Sequence, residues 1–364
     1  NEKKYDDAEI LAISLSKRFP KEAFSWKILG AIANLRGKIS DAFNFFQESS
    51  KLAPKDSNIF FNLGVIHKKL GRLEEAEESY KKAISIKPTY VNAYNNLGVI
   101  YRKLGRIIEA EQCYMQAISI DSNHFNAFYN LGIVQTKLGK IEESEKNYQQ
   151  AILLKPNFLS AKYMLSSLTG DSQPSSAPKE YVVGLFNNFA DHYENLMIEK
   201  LEFKVPGIIR KIILDNSESH LGSLIDLGCG TGLFGKEIQS FCNYLEGIDL
   251  SKKMLEIANK KNIYNQLIQV DILEHLKNAS LNFNYYVASD VLIYIGDLSD
   301  LFQLIKSRNQ SRGKLVFSVE DYEGKDFILR KSGRYAHSKK YIENLCKEFG
   351  YTLTHFETKT ARYD

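Results

Sequence analysis

Apolar and small residues return along the first 160 positions with a single period. Trp26-Lys27-Ile28-Leu29-Gly30 aligns with Phe60-Phe61-Asn62-Leu63-Gly64 and with residues 94–98 and 128–132, so Gly30, Gly64, Gly98 and Gly132 stand 34 residues apart. The same offset links Gly37, Gly71, Gly105 and Gly139, then Ala42, Ala76, Ala110 and Ser144, then Phe46, Tyr80, Tyr114 and Tyr148. Pro54, Pro88 and Pro156 keep it too, with Ser122 in the remaining place. A period of this length means one supersecondary unit stacked on copies of itself. Each unit reads as two helices. The first glycine leaves room for the second helix, the next closes the first helix in a left-handed turn, and the proline stops the second helix. Whole repeats are expected at 23–56, 57–90, 91–124 and 125–158, inside an all-α solenoid over residues 1–170. Ala8 and Pro20 fall in register, so residues 1–22 read as the back half of an earlier repeat, which implies further repeats upstream. Residues 159–168 read as one more helix of the first type.

After residue 170 the pattern changes. Asp171-Ser172-Gln173-Pro174-Ser175-Ser176-Ala177-Pro178 is polar and unperiodic, the mark of a linker over 171–180. From Tyr181 to Glu194 apolar residues recur at helical spacing, and a second helix is expected around 206–214, making 181–222 a helical segment. Short apolar runs then end in acids: 223–227 with Asp226, 245–250 with Asp249, 267–272 with Asp271 and 285–292 with Asp290. These read as strands, the first followed by Gly228, Gly230 and Gly232 and a helix from about Leu233. A further strand is expected over 351–356. Strands alternating with helices give an α/β, Rossmann-like parallel sheet over 223–364, and such sheets bind ligands at the carboxyl ends of their strands. Asp-x-Gly-x-Gly-x-Gly is not the dinucleotide fingerprint, in which a helix N-terminus holds a pyrophosphate.

Composition narrows the function. The chain has 364 residues, 44% of them apolar and 25% charged, with a formal net charge of +4. That is the make-up of a globular protein of two or three domains. Residues 1–170 carry 24 Lys/Arg against 18 Asp/Glu, too few for the dense basic field of a nucleic-acid binder. Cys113, Cys229, Cys242 and Cys346 lie far apart with no metal-ligand spacing, so they read as reduced thiols of a cytoplasmic protein without a metal site. No apolar run is long enough to span a bilayer, and no signal peptide is visible.

The pattern aromatic-x-x-Leu-Gly, Gly, Ala, aromatic, Pro resembles the tetratricopeptide repeat. Phe186-x-x-x-Ala190-x-x-Tyr193-Glu194, the Asp226-to-Gly232 run and the later strand ends resemble class I S-adenosylmethionine-dependent methyltransferases. The whole chain is similar to predicted methyltransferases that carry such repeats. That resemblance implies a methyltransferase with S-adenosylmethionine as cofactor, held by Asp226, Gly228, Gly230, Gly232, Asp249 and Asp271. Asp226 would meet the ammonium, Asp249 the ribose hydroxyls and Asp271 the adenine amino group. Phe189 and Tyr193 would face the sulfonium from a lid, unless their helix only packs. The family normally adds a seventh strand between the fifth and sixth, for which no chain remains, so a fragment is expected.

Candidate catalytic residues lie on expected loops: His337 as base by its ordinary pKa, or else a cap or surface residue, then Tyr294 and Asp290, with Arg334 placed to hold a carboxylate. The acceptor reads as a small molecule or a carrier-bound acid. On the first helices of the repeats, Asn62, Asn95, Asn96 and Asn130 with Lys68, Lys69, Arg102, Lys103 and Lys137 form either a groove for a protein or peptide partner or a solvated face. Two alternatives stay open: a repeat scaffold with a non-catalytic, cofactor-binding relic, and a protein methyltransferase that docks its substrate on the repeats.

Overall fold

Each 34-residue repeat folds as an antiparallel helix pair because glycine and proline punctuate it where the period requires. The computed structural model describes residues 2–217, 220–278, 282–309 and 313–361. It contains two compact units, residues 1–161 and 162–364. In the first, α1 (Glu2–Arg18) is followed by the pairs α2 (Ala23–Leu35) and α3 (Ile39–Leu52), α4 (Ser57–Lys69) and α5 (Leu73–Ile86), α6 (Val91–Lys103) and α7 (Ile107–Ile120), and α8 (Phe125–Lys137) and α9 (Ile141–Leu154). Between the members of each pair Gly37, Gly71, Gly105 and Gly139 take φ of 72° to 76°, a region open to glycine. Pro88 and Pro156 stand two residues past the ends of α5 and α9, and Ser122 two past the end of α7.

The small residue inside each first helix is dictated by the aromatic ring of the second. A Cβ on Gly64 would lie 2.6 Å from the Tyr80 ring, and one on Gly98 or Gly132 would lie 2.6 Å from Tyr114 or Tyr148. All three rings are fully buried. A second recurrence ties successive repeats together. The Arg106 guanidinium pairs with Glu77 at 3.0 Å and Lys140 pairs with Glu111 at 2.8 Å, both 29 residues apart. One repeat earlier the same two positions hold Arg72 and Phe43, a cation over a ring at 5.5 Å. Such partly exposed pairs set register more than they add stability.

The second unit receives most of α10 (Leu159–Thr169) and continues with α11 (Lys179–Phe189) and α12 (Val205–Asp215). There follow β1 (Ser223–Leu227), α13 (Leu233–Ile238), β2 (Tyr244–Asp249), α14 (Lys252–Lys260), β3 (Gln266–Gln269), α15 (Ile272–Asn278), β4 (Tyr285–Ala288), α16 (Ser299–Arg308), β5 (Lys314–Phe317), β6 (Glu320–Asp321), β7 (Phe327–Leu329), β8 (Tyr335–His337) and α17 (Lys339–Phe349). The first five strands form one parallel sheet in the order β3-β2-β1-β4-β5. Alternation along the strands sends side chains to two cores. Ile225, Leu227, Tyr286 and Ala288 pack with Leu301, Phe302 and Leu345 of α16 and α17. Leu224, Leu245, Tyr285 and Val287 pack with Ile209 and Ile213 of α12 and Phe234 of α13. The sheet order reverses between β1 and β4, which opens a crevice at their carboxyl ends.

Several local expectations are corrected. The strand expected over 351–356 does not form: residues 351–361 are largely exposed and run without a ladder. A cavity of about 1050 Å³ is lined by residues of this segment, α12 and β5. β3 ends at Gln269, two residues before Asp271, and β4 ends at Ala288. Residues expected as loops after β5 instead build a second sheet, β6-β8-β7. The Pro/Ser-rich segment read as a linker is bonded to its own unit. The Ala177 N–H donates to the Tyr294 carbonyl at 2.9 Å, the Gly296 N–H to Ser175 O at 2.8 Å, and the Tyr335 hydroxyl to Pro174 O at 2.6 Å. Among the described residues no helix is long and apolar enough to cross a membrane.

Gly98→Ala is expected to cost about 1–3 kcal/mol by forcing the methyl group into the buried Tyr114 ring. The check is thermal unfolding beside Gly207→Ala, where a Cβ meets nothing within 4 Å. Equal effects of the two would refute the close approach.

Candidate functional site

β1 and β2 deliver two carboxylates to one edge of the sheet. Their register places Asp226 beside Gly247, two residues before Asp249. Past β1 the chain turns back through Gly228, Gly230 and Gly232, all at positive φ, and the Gly228 and Cys229 N–H groups donate to the Ile248 carbonyl at 2.9 Å. A side chain on Gly228 would meet Val291 at 2.4 Å, so the glycine lets the loop touch the chain leaving β4. Asp249 fastens the loop from the other side. Its Oδ2 accepts from the Gly230 N–H at 2.9 Å and its Oδ1 from the Ser251 N–H at 2.7 Å.

Asp226 is 1% exposed, and its Oδ2 accepts from the Tyr264 hydroxyl at 2.7 Å. Its Oδ1 is buried and has no hydrogen-bond partner among the described residues. Burial pushes the Asp226 carboxyl up to about 7, the Tyr264 hydroxyl opposing and the Asp249 charge adding to the shift. Asp249 is pushed up to about 6 by desolvation, against the two amide hydrogen bonds. A desolvated carboxylate with an unused oxygen atom, as at Asp226, favours a cationic ligand with hydrogen-bond donors.

Asp271, beyond β3, caps α15 by accepting the Glu274 N–H at 3.1 Å and pairs with Lys179 of α11 at 3.6 Å. α11 covers the site's flank. Its Asn187 accepts from the Ser251 hydroxyl at 2.8 Å, and beyond its end Glu194 pairs with Lys261. Of the two aromatic residues expected to face a ligand, Phe189 is 38% exposed, while Tyr193 is partly buried with its ring edge-on to Phe186 at 6.2 Å. Phe186 in turn meets Tyr294 at 5.4 Å. The sequence assigns a ligand-facing role to neither Phe186, which opens the Phe-x-x-x-Ala-x-x-Tyr motif, nor Tyr264. The first lies three residues before Phe189 on the same helix, and the second carried no signal.

The residues after β4 gather separately. Asp290 has φ of 58° and donates its N–H to the Ser318 hydroxyl at 2.9 Å. Arg334 pairs with Glu320 at 3.4 Å. Burial opposes the Arg334 charge, but Tyr294, Glu320 and Asp290 outweigh it and hold the guanidinium above its ordinary value. Tyr294 is buried, on a short turn after β4. His337 departs from expectation. It lies on β8 rather than on a loop, is 1% exposed, and its Nε2 bonds the Gly296 carbonyl at 2.9 Å. Burial lowers its pKa against the Gly296 and Ile295 carbonyls, so the ring is neutral at ordinary pH with Nε2 as the donor. Its ordinary pKa is therefore no guide to its chemistry here.

On the repeats, Asn130 donates to Asn95 at 3.0 Å, Asn96 to Tyr80 at 3.4 Å, and Lys69 to Asn34 at 2.6 Å. Asn130 and Asn95 thus link α8 to α6, and Lys69 and Asn34 link α4 to α2, while Asn96 reaches Tyr80 of α5. No group of three or more His, Cys, Asp and Glu among the described residues could hold a metal ion.

Residues 91–124 and 125–158 match the tetratricopeptide repeat family, residues 45–78 and 66–105 match related repeat families, and residues 219–360 match a methyltransferase domain. The chain joins tetratricopeptide repeats to a methyltransferase domain. A malonyl-(acyl-carrier protein) O-methyltransferase of Halalkalibacterium halodurans is 32% identical over 105 residues, which are 27% of this chain and 38% of that enzyme. The chain therefore spans well under half the length of that relative. An uncharacterized protein of Methanocaldococcus jannaschii is 25% identical over 181 residues, 46% of this chain and 82% of that protein. Among solved structures, YrrB, titled a TPR protein with an unusual peptide-binding site, is 18% identical with a TM-score of 0.40, covering 44% of this chain and 83% of its own.

The buried carboxyl makes stability depend on pH. Asp226 titrates near its ordinary 3.8 when unfolded and at about 7 when folded, so the folded state binds the proton more tightly. Its contribution to stability is full below about pH 4 and is lost as pH rises through about 7. Asp226→Asn removes this loss, so its unfolding temperature relative to the wild type should rise between about pH 4 and pH 8. A difference that stays flat would show that Asp226 is not desolvated.

Proposed function

We propose that the protein is an S-adenosylmethionine-dependent methyltransferase acting on a small-molecule or carrier-bound carboxylic acid, with the repeats recruiting a protein partner. The observation that carries this reading is the convergence of Asp226, Asp249 and the glycine loop at adjacent strand ends, with the Asp226 Oδ1 buried and unpartnered. These groups fit the cofactor's polar parts. Asp226 would hold its ammonium, the loop backbone its amino-acid portion, Asp249 its ribose hydroxyls and Asp271 its adenine amino group. When bound, S-adenosylmethionine supplies an already activated methyl group on a sulfonium.

The chain's own task is then alignment and exclusion of water. α11 and the Glu194–Lys261 pair close one side of the site. Asp290, Tyr294 and Arg334 would line the acceptor side, with Arg334 drawing an anionic acceptor toward the methyl group. A carboxylate acceptor is ionised at neutral pH and needs no general base. This agrees with a His337 that spends Nε2 on Gly296 and leaves no exposed ring nitrogen. His337 is better read as fixing the turn that follows Tyr294. The malonyl relative, by its name, methylates an acid on a carrier protein, which favours the same acceptor class here.

For the repeats, Asn62, Asn95, Asn96 and Asn130 with Lys68, Lys69, Arg102, Lys103 and Lys137 on the first helices favour an extended peptide bearing acidic groups. Amides can bond a peptide backbone while the cations select its charge.

Calorimetric titration of the full chain with S-adenosylmethionine should give saturable binding. Asp249→Ala should weaken it by about 1.5–3 kcal/mol through lost charged hydrogen bonds. No heat of binding with the wild type would defeat the enzyme reading. An unchanged affinity in the variant would show that Asp249 does not hold the cofactor.

A further inference from the structure

We propose that Tyr264 is a positioning residue for the cofactor site, its hydroxyl orienting the Asp226 carboxylate so that the unpartnered Oδ1 is presented to a cationic ligand. The proposal rests on the S-adenosylmethionine reading above and adds a residue that no motif supplies. Tyr264 lies in the short connection between α14 and β3. Asn262, at φ of 52°, turns the chain there, and Asn265 fastens it to β2 with two bonds to Leu245, each 2.8 Å. The ring is then laid behind the glycine loop.

Three glycines make room for that ring. A Cβ on Gly235 would lie 2.3 Å from the Tyr264 hydroxyl oxygen, one on Gly247 2.9 Å from the ring, and one on Gly232 3.0 Å from it. Gly232, Gly235 and Gly247 come from the loop, α13 and β2, so three elements are hollowed around one side chain. A ring serving only as filler would not need a polar tip aimed at the most buried acid of the site. That tip is 2.7 Å from the Asp226 Oδ2. With one oxygen held, the carboxylate cannot rotate freely, and its other oxygen is left buried without a hydrogen-bond partner among the described residues.

The titratable groups facing Asp226 are Tyr264 from the connection, Asp249 from β2 and Cys229 from the glycine loop. Asp249 is a like charge, and the Cys229 thiol is pushed well up by burial and stays protonated. The phenol is the group that favours the ionised carboxylate, since a hydrogen bond to the charged form stabilises it.

The test is Tyr264→Phe, which keeps the ring in its cradle and removes only the hydroxyl. Two readouts are needed: the carboxyl carbon resonance of Asp226 followed against pH in the ligand-free protein, and calorimetric affinity for S-adenosylmethionine across the same range. The titration midpoint of Asp226 should move up by about one pH unit, and affinity near pH 7 should fall about fivefold. The loss should shrink as pH rises and the acid ionises without help. A packing role alone would move neither profile, and an unmoved midpoint or an unchanged affinity overturns the proposal. If the wild type binds no S-adenosylmethionine, the cofactor reading fails and this proposal fails with it. That outcome is told apart because it appears before any variant is made.

Discussion

The second unit is organised around a carboxylate that water cannot reach. Asp226 sits at the end of a central strand, with Asp249 at the end of the next, and its solvation must come from the protein or from a ligand. One oxygen is satisfied by Tyr264, and the glycine loop is satisfied by Asp249. What remains is an unfilled demand for positive charge and hydrogen-bond donors at a point where the sheet order reverses. Much of the surrounding architecture follows from that demand. Glycines stand where backbone or a ring must come close, α11 shields a flank, and the chain after β4 bends through an Asp at positive φ.

The repeats obey a different constraint, which is steric. Each buried tyrosine occupies the space where a first-helix side chain would be, so the glycine and the aromatic residue must recur together. Charged pairs 29 residues apart then link each repeat to the next. Only nearest neighbours need to agree, which is why the pattern survives a Phe in place of an acid at position 43 and a Ser in place of a proline at 122.

Much of this was legible in the chain itself. The helix pairs, the linking glycines, the first two strands and the converging acids follow from periodicity and from apolar runs ending in Asp. His337 shows where such reading stops. Its ordinary pKa and an expected loop position suggested a base, whereas burial on β8 and the Gly296 carbonyl make it a neutral hydrogen-bond donor. Phe189 and Phe186 share one helix, and periodicity alone could not say which ring turns toward Tyr294.

The sequence by itself determined the local grammar: which segments are helices, which are strands, where glycine must stand, and which acids end up at one sheet edge. Those properties depend on residues close together in the chain, or on exact repetition. Only the tertiary structure decided that Tyr264 reaches Asp226, that 351–361 forms no ladder with β5, that 320–337 forms a second sheet, and that Pro174 to Ala177 are bonded to the unit that follows. Each of these joins residues far apart in the chain through the shape of the space between them. A hydrogen bond across 38 residues leaves no period to be read, because its geometry exists only once the strands have packed.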